Sequence, residues 1–110
     1  MSMYLSQLSY AAHSVKAMVD KPQERRSAAE KIFVAAGGKL IHMYFCFGDY
    51  DGLVITEFPS EVDAASALLA VGASGVFSKL HTTVLITTDD AVKAMEKAHG
   101  IAAAYKPPSA

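Results

Sequence analysis

The 110-residue sequence predicts an α+β fold, an antiparallel four-stranded sheet with helices on one face and a further helix at the C-terminal end. Three observations predict it. Strand-like segments recur four times, at about 3–10, 39–47, 53–58 and 76–87. Segments of helical periodicity separate the first from the second and the third from the fourth. The second and third are joined only by Gly48-Asp49-Tyr50-Asp51-Gly52, too short for a crossover, so they form a hairpin.

Taken in order, Met3 to Tyr10 (MYLSQLSY) alternates apolar and polar residues and reads as the first strand. Ala11 to Asp20 is a short helical segment with Val15, Met18 and Val19 on one side. Pro22 suits a helix start, where its missing N–H costs nothing, and the spacing predicts a helix over 23–36. Ala29, Ile32, Phe33 and Ala36 share its apolar face, with Glu24, Ser27 and Lys31 opposite, and Gly37-Gly38 ends it. In the second strand, Lys39 to Phe47, Ile41, Met43, Phe45 and Phe47 make an apolar side, while Leu40, His42, Tyr44 and Cys46 make a side bearing reactive groups. Leu53 to Phe58 is the third strand, and Pro59 closes it. Ser60 caps the next helix with Asp63 three residues on; that helix runs from Glu61 to about Val71, and Gly72 to Gly75 break it. The fourth strand places Val76, Leu80, Val84 and Ile86 against Phe77, Lys79, His81 and Leu85. Thr87 or Thr88 caps a last helix, about 89–104, with Asp89 and Asp90 at its positive end, an interruption at Gly100 and a flexible tail over 105–110.

The order is the split βαβ, or ferredoxin-like, arrangement βαββαβ with an extra C-terminal helix. Its edge strands are the second and fourth. Both are apolar on two faces, whereas a sheet covered on one side alternates more cleanly. Shielding by loops or the last helix is one explanation. The better one is a second subunit's sheet, giving a dimeric α/β barrel.

Composition limits the function. Hydrophobic residues make up 52% of the chain and charged residues 19%, and the net charge is -1, so a single domain over 1–110 with its core at about 3–88 is expected. The hydrophobic share is high for so small a monomer and points to self-association, as a homodimer or a higher homo-oligomer. Arg25 and Arg26 are the only adjacent basic pair, which argues against a nucleic-acid footprint. No apolar run is long enough for a membrane span, and residues 1–20 lack the layout of a secretory signal. The one cysteine, Cys46, excludes an internal disulfide and predicts a cytoplasmic protein.

The hairpin carries the string Gly48-Asp49-Tyr50-Asp51, with Glu57 and Pro59 following, G-x-Y-D-x5-E-x-P. This resembles the GYD domain family. The opening MYLSQLSY, the Gly-Gly-Lys before the second strand and the Ala/Leu-rich helix after the proline are similar to that family too. The resemblance covers roughly residues 3–88, and the chain departs from the pattern at Gly52 and in its longer C-terminal helix. It implies the dimeric α/β-barrel fold, shared with small monooxygenases, haem-degrading proteins and stress-response barrels. It implies no activity.

Several side chains could carry chemistry. Gly48, Tyr50 and Asp51 suit a turn whose aspartates cap local N–H groups; the sharper alternative places the phenol and carboxylate at the mouth of a ligand pocket. His42, Tyr44 and Cys46 share a strand face, where a base, a donor and a thiol could act together, yet an amphipathic edge strand accounts for them as well. Tyr4 and Tyr10 alternate along the first strand and could line a small-molecule cleft or stand at the rim of an ordinary core. His13, His42, His81 and His99 show no metal-ligand spacing, and His42 and His81 lie on the two edge strands, roughly 14 Å apart across three strand spacings. No metal and no cofactor are expected. Two readings follow: a self-associating barrel that binds a small apolar or aromatic ligand, or a cofactor-independent monooxygenase- or isomerase-like enzyme in which His42 or His81 moves a proton. A closed cavity with a histidine in its wall distinguishes the second from the first.

Overall fold

In a computed structural model, which describes residues 1–109, nine segments of regular structure follow one another. Strand β1 (Ser2–Tyr10) is followed by α1 (Ala12–Asp20) and α2 (Arg26–Ala35), then by the hairpin of β2 (Lys39–Phe45) and β3 (Gly52–Phe58). Helix α3 (Glu61–Ala73), strand β4 (Phe77–Leu85), helix α4 (Thr88–Ile101) and a 3-10 turn (Ala102–Ala104) complete the chain. The four strands are antiparallel in the order β2-β3-β1-β4. This α+β architecture is compatible with the ferredoxin-like arrangement.

Burial along β1 and β3 alternates strictly, and the inward residues form the core. Tyr4, Val54 and Phe58 on the sheet, with Leu40 from β2, pack against Phe33 of α2 and Ala64 and Ala67 of α3. The Phe58 ring meets Tyr4 and Phe33 edge-on, at 6.0 and 6.1 Å between centroids. The turn into β2 is built for that ring. Gly37 adopts φ +86°, and a Cβ on Gly38 would lie 2.5 Å from Phe58 and 2.7 Å from the Glu57 carbonyl, so neither position accepts a side chain without strain.

Several element boundaries differ from expectation. Helix α2 begins at Arg26 rather than at 23, and Pro22 lies in the preceding loop. The Glu24 carboxylate accepts hydrogen bonds from the Ser27 hydroxyl (2.7 Å) and backbone N–H (3.0 Å), which sets the start there; those bonds hold its carboxyl below its ordinary value of 4.5. Helix α3 continues through Gly72, and α4 passes through Gly100 without a break, because one glycine costs a helix only about 1 kcal/mol. Ser60 caps α3 as expected, its Oγ accepting from the Asp63 N–H, and Thr87 caps α4 in the same way from Asp90. In α1 the inward residue is Ser14, whose hydroxyl donates to the Val76 carbonyl at 2.8 Å, while Val15 and Val19 face outward. Of the expected tail, Tyr105 to Ser109 carry no regular structure, and Ala110 lies outside the described residues.

Two irregularities reassign the faces of the edge strands. The β2–β3 register slips between Leu40 and His42, so Leu40 faces the helices with Met43 instead of sharing a side with His42 and Tyr44. The β1–β4 register slips after Ser9, so Phe77 joins Leu80 on the helix side, away from Lys79 and His81. Helix α4 buries none of its residues, and the molecule extends 59 × 35 × 22 Å with a radius of gyration of 18.1 Å, against roughly 13 Å for a compact chain of this length.

A candidate functional site under the helices

Between the helix layer and the sheet lies a cleft of about 270 Å³. Its floor is the inward face of the sheet, with Ser6 and Leu8 of β1, Val54 of β3 and Leu80 of β4. Ala28, Ala29 and Phe33 of α2 and Leu68 and Val71 of α3 form its roof. At one end stand Tyr10, Phe77 and Arg25. The Tyr10 ring packs on Phe77 at 5.0 Å and on Phe45 at 5.9 Å, which holds the phenol in place. Burial pushes this phenol above its ordinary value of 10.0, against the pull of the adjacent Arg25 guanidinium. Tyr10 is therefore a neutral donor throughout the physiological range. The Ser6 hydroxyl is spoken for on the floor, 2.9 Å from the Thr82 hydroxyl.

The GYD-like loop lies beside this end, and its aspartate has a structural partner. The Asp51 carboxylate accepts the Tyr10 backbone N–H at 2.9 Å, and the Asp51 N–H donates to the Leu8 carbonyl at 2.8 Å. These bonds continue the β1–β3 pairing past its last residue pair and pin the hairpin to β1. The Cys46 N–H donates to the Asp51 carbonyl at 2.8 Å, and the Cys46 thiol donates to the Tyr50 carbonyl at 3.2 Å. Both groups of Cys46 thus close the loop.

Tyr50 turns to the other face of the sheet, where the Lys79 ammonium stands 4.7 Å over its ring and His81 lies 6.3 Å away. The pairing arranges that face in rows across the four strands. Tyr44, Leu53, Gln7 and His81 form one row; His42, Ile55, Leu5 and Thr83 the next; Lys39, Glu57, Met3 and Leu85 the third. The His42 and Tyr44 rings stack at 6.1 Å. None of these residues is fully buried, whereas every inward residue of β1 and β3 from Tyr4 to Tyr10 and from Gly52 to Phe58 is.

The structure therefore separates the candidates. Tyr10 alone lines the cleft. Tyr4 belongs to the core, its hydroxyl buried without a hydrogen-bond partner. His42, His81, Tyr44 and Tyr50 stand on the opposite face, and Asp51 and Cys46 hold the hairpin. No histidine lines the cleft. Among the described residues no group of three or more His, Cys, Asp or Glu side chains is placed to hold a metal ion, and no helix is long and apolar enough to cross a membrane. Sequence reasoning missed Arg25, which it registered only as half of a basic pair. With the helix expected over 23–36, no local signal set it apart from the other exposed charges of that helix.

A family model described as the GYD domain matches residues 4–95. No curated protein matches the chain. Among solved structures the chain is similar to FFRP-DM1, with a TM-score of 0.54 and 15% identity over 78% of this chain and 100% of that one. It is similar to the hypothetical protein PHS023 from Pyrococcus horikoshii, with a TM-score of 0.53 and 15% identity over 79% of this chain and 92% of that one. MtbAldR follows at a TM-score of 0.53 and 11% identity, over 78% of this chain and 52% of that one. At such identities the likeness shows the fold alone.

Proposed function

We propose that this chain, which belongs to the GYD domain family, works as a homodimeric binding module: two copies pack sheet to sheet, and the cleft under the helices of each holds a small apolar or aromatic molecule. The observation that carries the reading is the face of the sheet turned away from α2 and α3. Met3, Leu5, Leu53, Ile55 and Leu85 are contiguous there and only half-buried within one copy. Completing their burial in both copies is worth roughly 10 kcal/mol at about 1 kcal/mol per side chain, which only matches the 4–15 kcal/mol that association costs. A stable dimer on this reading also uses α4, whose Val92 and Met95 lie on one side of a helix with no buried residue. The single unpaired cysteine, Cys46, suits a reducing compartment, so the module is read as cytoplasmic.

The alternative enzymatic reading requires His42 or His81 beside a substrate cavity. Both stand on the opposite side of the sheet from the cleft, and no observation favours it. The dimer is tested by Ile55→Glu, which places a charge at the centre of the proposed contact. The expected result is a folded monomer with an unchanged far-ultraviolet circular dichroism spectrum. A variant that keeps the oligomeric state of the natural chain overturns the proposed contact face.

A further inference from the structure

The cleft has one charged group in its wall, the Arg25 guanidinium, and no acid. Among the described residues Arg25 pairs with no carboxylate. Glu24 is turned to Ser27, Glu30 lies 3.9 Å from Arg26, and Arg25 itself donates to the neutral Gln23 side chain at 2.9 Å. A half-buried guanidinium whose polar neighbours are two neutral groups, the Gln23 amide and the Tyr10 phenol, at the end of an otherwise apolar cavity, has unused capacity for an anion. The Tyr10 phenol stands at the same end and keeps its proton because burial raises its pKa. Ala28 and Ala29, in the first turn of α2, line the same space.

Size and charge narrow the class. An apolar cavity of about 150 Å³ accommodates benzene. At about 270 Å³ this one has room for a single ring with a short arm. One guanidinium neutralises one negative charge; a second charge on the ligand would be desolvated against Leu8, Val54 and Leu80 with nothing to pair it, and an ammonium would meet Arg25 with like sign.

We propose that the cleft is a binding site for a small aromatic or apolar monocarboxylate, its carboxylate held by Arg25 with Tyr10 as a second donor and its apolar body between the sheet and helices α2 and α3. This rests on the binding-module reading above and adds to it the anionic head group and the residue that recognises it.

The test compares phenylacetate with phenylacetamide, which has the same shape and no charge, by isothermal titration and amide chemical-shift mapping on the full chain and on Arg25→Gln. The expected result is that the acid binds at least about tenfold more tightly than the amide, as a charge-assisted hydrogen bond implies, with shifts centred on Ala28, Ala29 and Phe77. In Arg25→Gln the acid falls to the affinity of the amide, while amide binding is unchanged and so reports an intact cleft. Equal binding of the two probes to the natural chain overturns the carboxylate class and leaves the apolar cleft standing. Binding of neither overturns both. An acid preference that survives Arg25→Gln, or shifts confined to the other face of the sheet, overturns the assignment to Arg25.

Discussion

Asp51 shows how much one side chain in the GYD-like loop holds in place. Its carboxylate satisfies the Tyr10 amide where β1 and β4 lose register, and its own amide continues the ladder to Leu8. Asp51→Ala removes the side-chain acceptor of that amide and is expected to cost about 1–3 kcal/mol, read as a lowered urea midpoint, while Asp51→Asn keeps an acceptor and costs less. Tyr4 makes the opposite case. Its hydroxyl is buried with no partner, so Tyr4→Phe is expected to raise stability by about 1 kcal/mol; a loss of that size would mean the hydroxyl has a partner. The loop was legible as a turn closed by an aspartate. Its true partner lies 41 residues away in β1, and only the strand register brings the two together. Arg25 was illegible for the same reason, since nothing local in the sequence says that the start of α2 overhangs a cavity.

At the scale of elements, all four strands and the helices between them were readable from periodicity and from the caps Ser60 and Thr87. The faces of the edge strands were not. One extra residue in β2 and one in β4 invert the alternation, which moves Leu40 and Phe77 to the helix side and leaves His42 and His81 opposite them. A bulge of this kind depends on pairing with a neighbouring strand and leaves no mark in the periodicity of its own. Helix α4 is the element that contributes least to the single copy. Ending the chain after Thr87 is expected to leave the urea unfolding of dilute protein within about 0.5 kcal/mol of the natural chain, because α4 buries nothing there. The same truncation is expected to weaken dimerisation at least about tenfold, measured by sedimentation equilibrium. A large loss of stability in the dilute protein would show instead that α4 packs on its own copy.

For the whole molecule, the high hydrophobic content resolves into two places. One is the core and cleft between the sheet and α2 and α3; the other is an apolar surface shared by the far side of the sheet and α4. The core needs no partner. A sheet face with five contiguous aliphatic or thioether side chains, next to a helix standing clear of the body, is the surface that the proposed second copy of the chain would cover. In the proposed module the two faces have separate tasks: assembly on one, ligand binding in the cleft on the other. The claim that joins them is the dimer, and size-exclusion chromatography with multi-angle light scattering over a dilution series through the micromolar range measures it most directly. The expected result is a mass about twice the 11.7 kDa of the chain. A mass of a single chain throughout that range would contradict it.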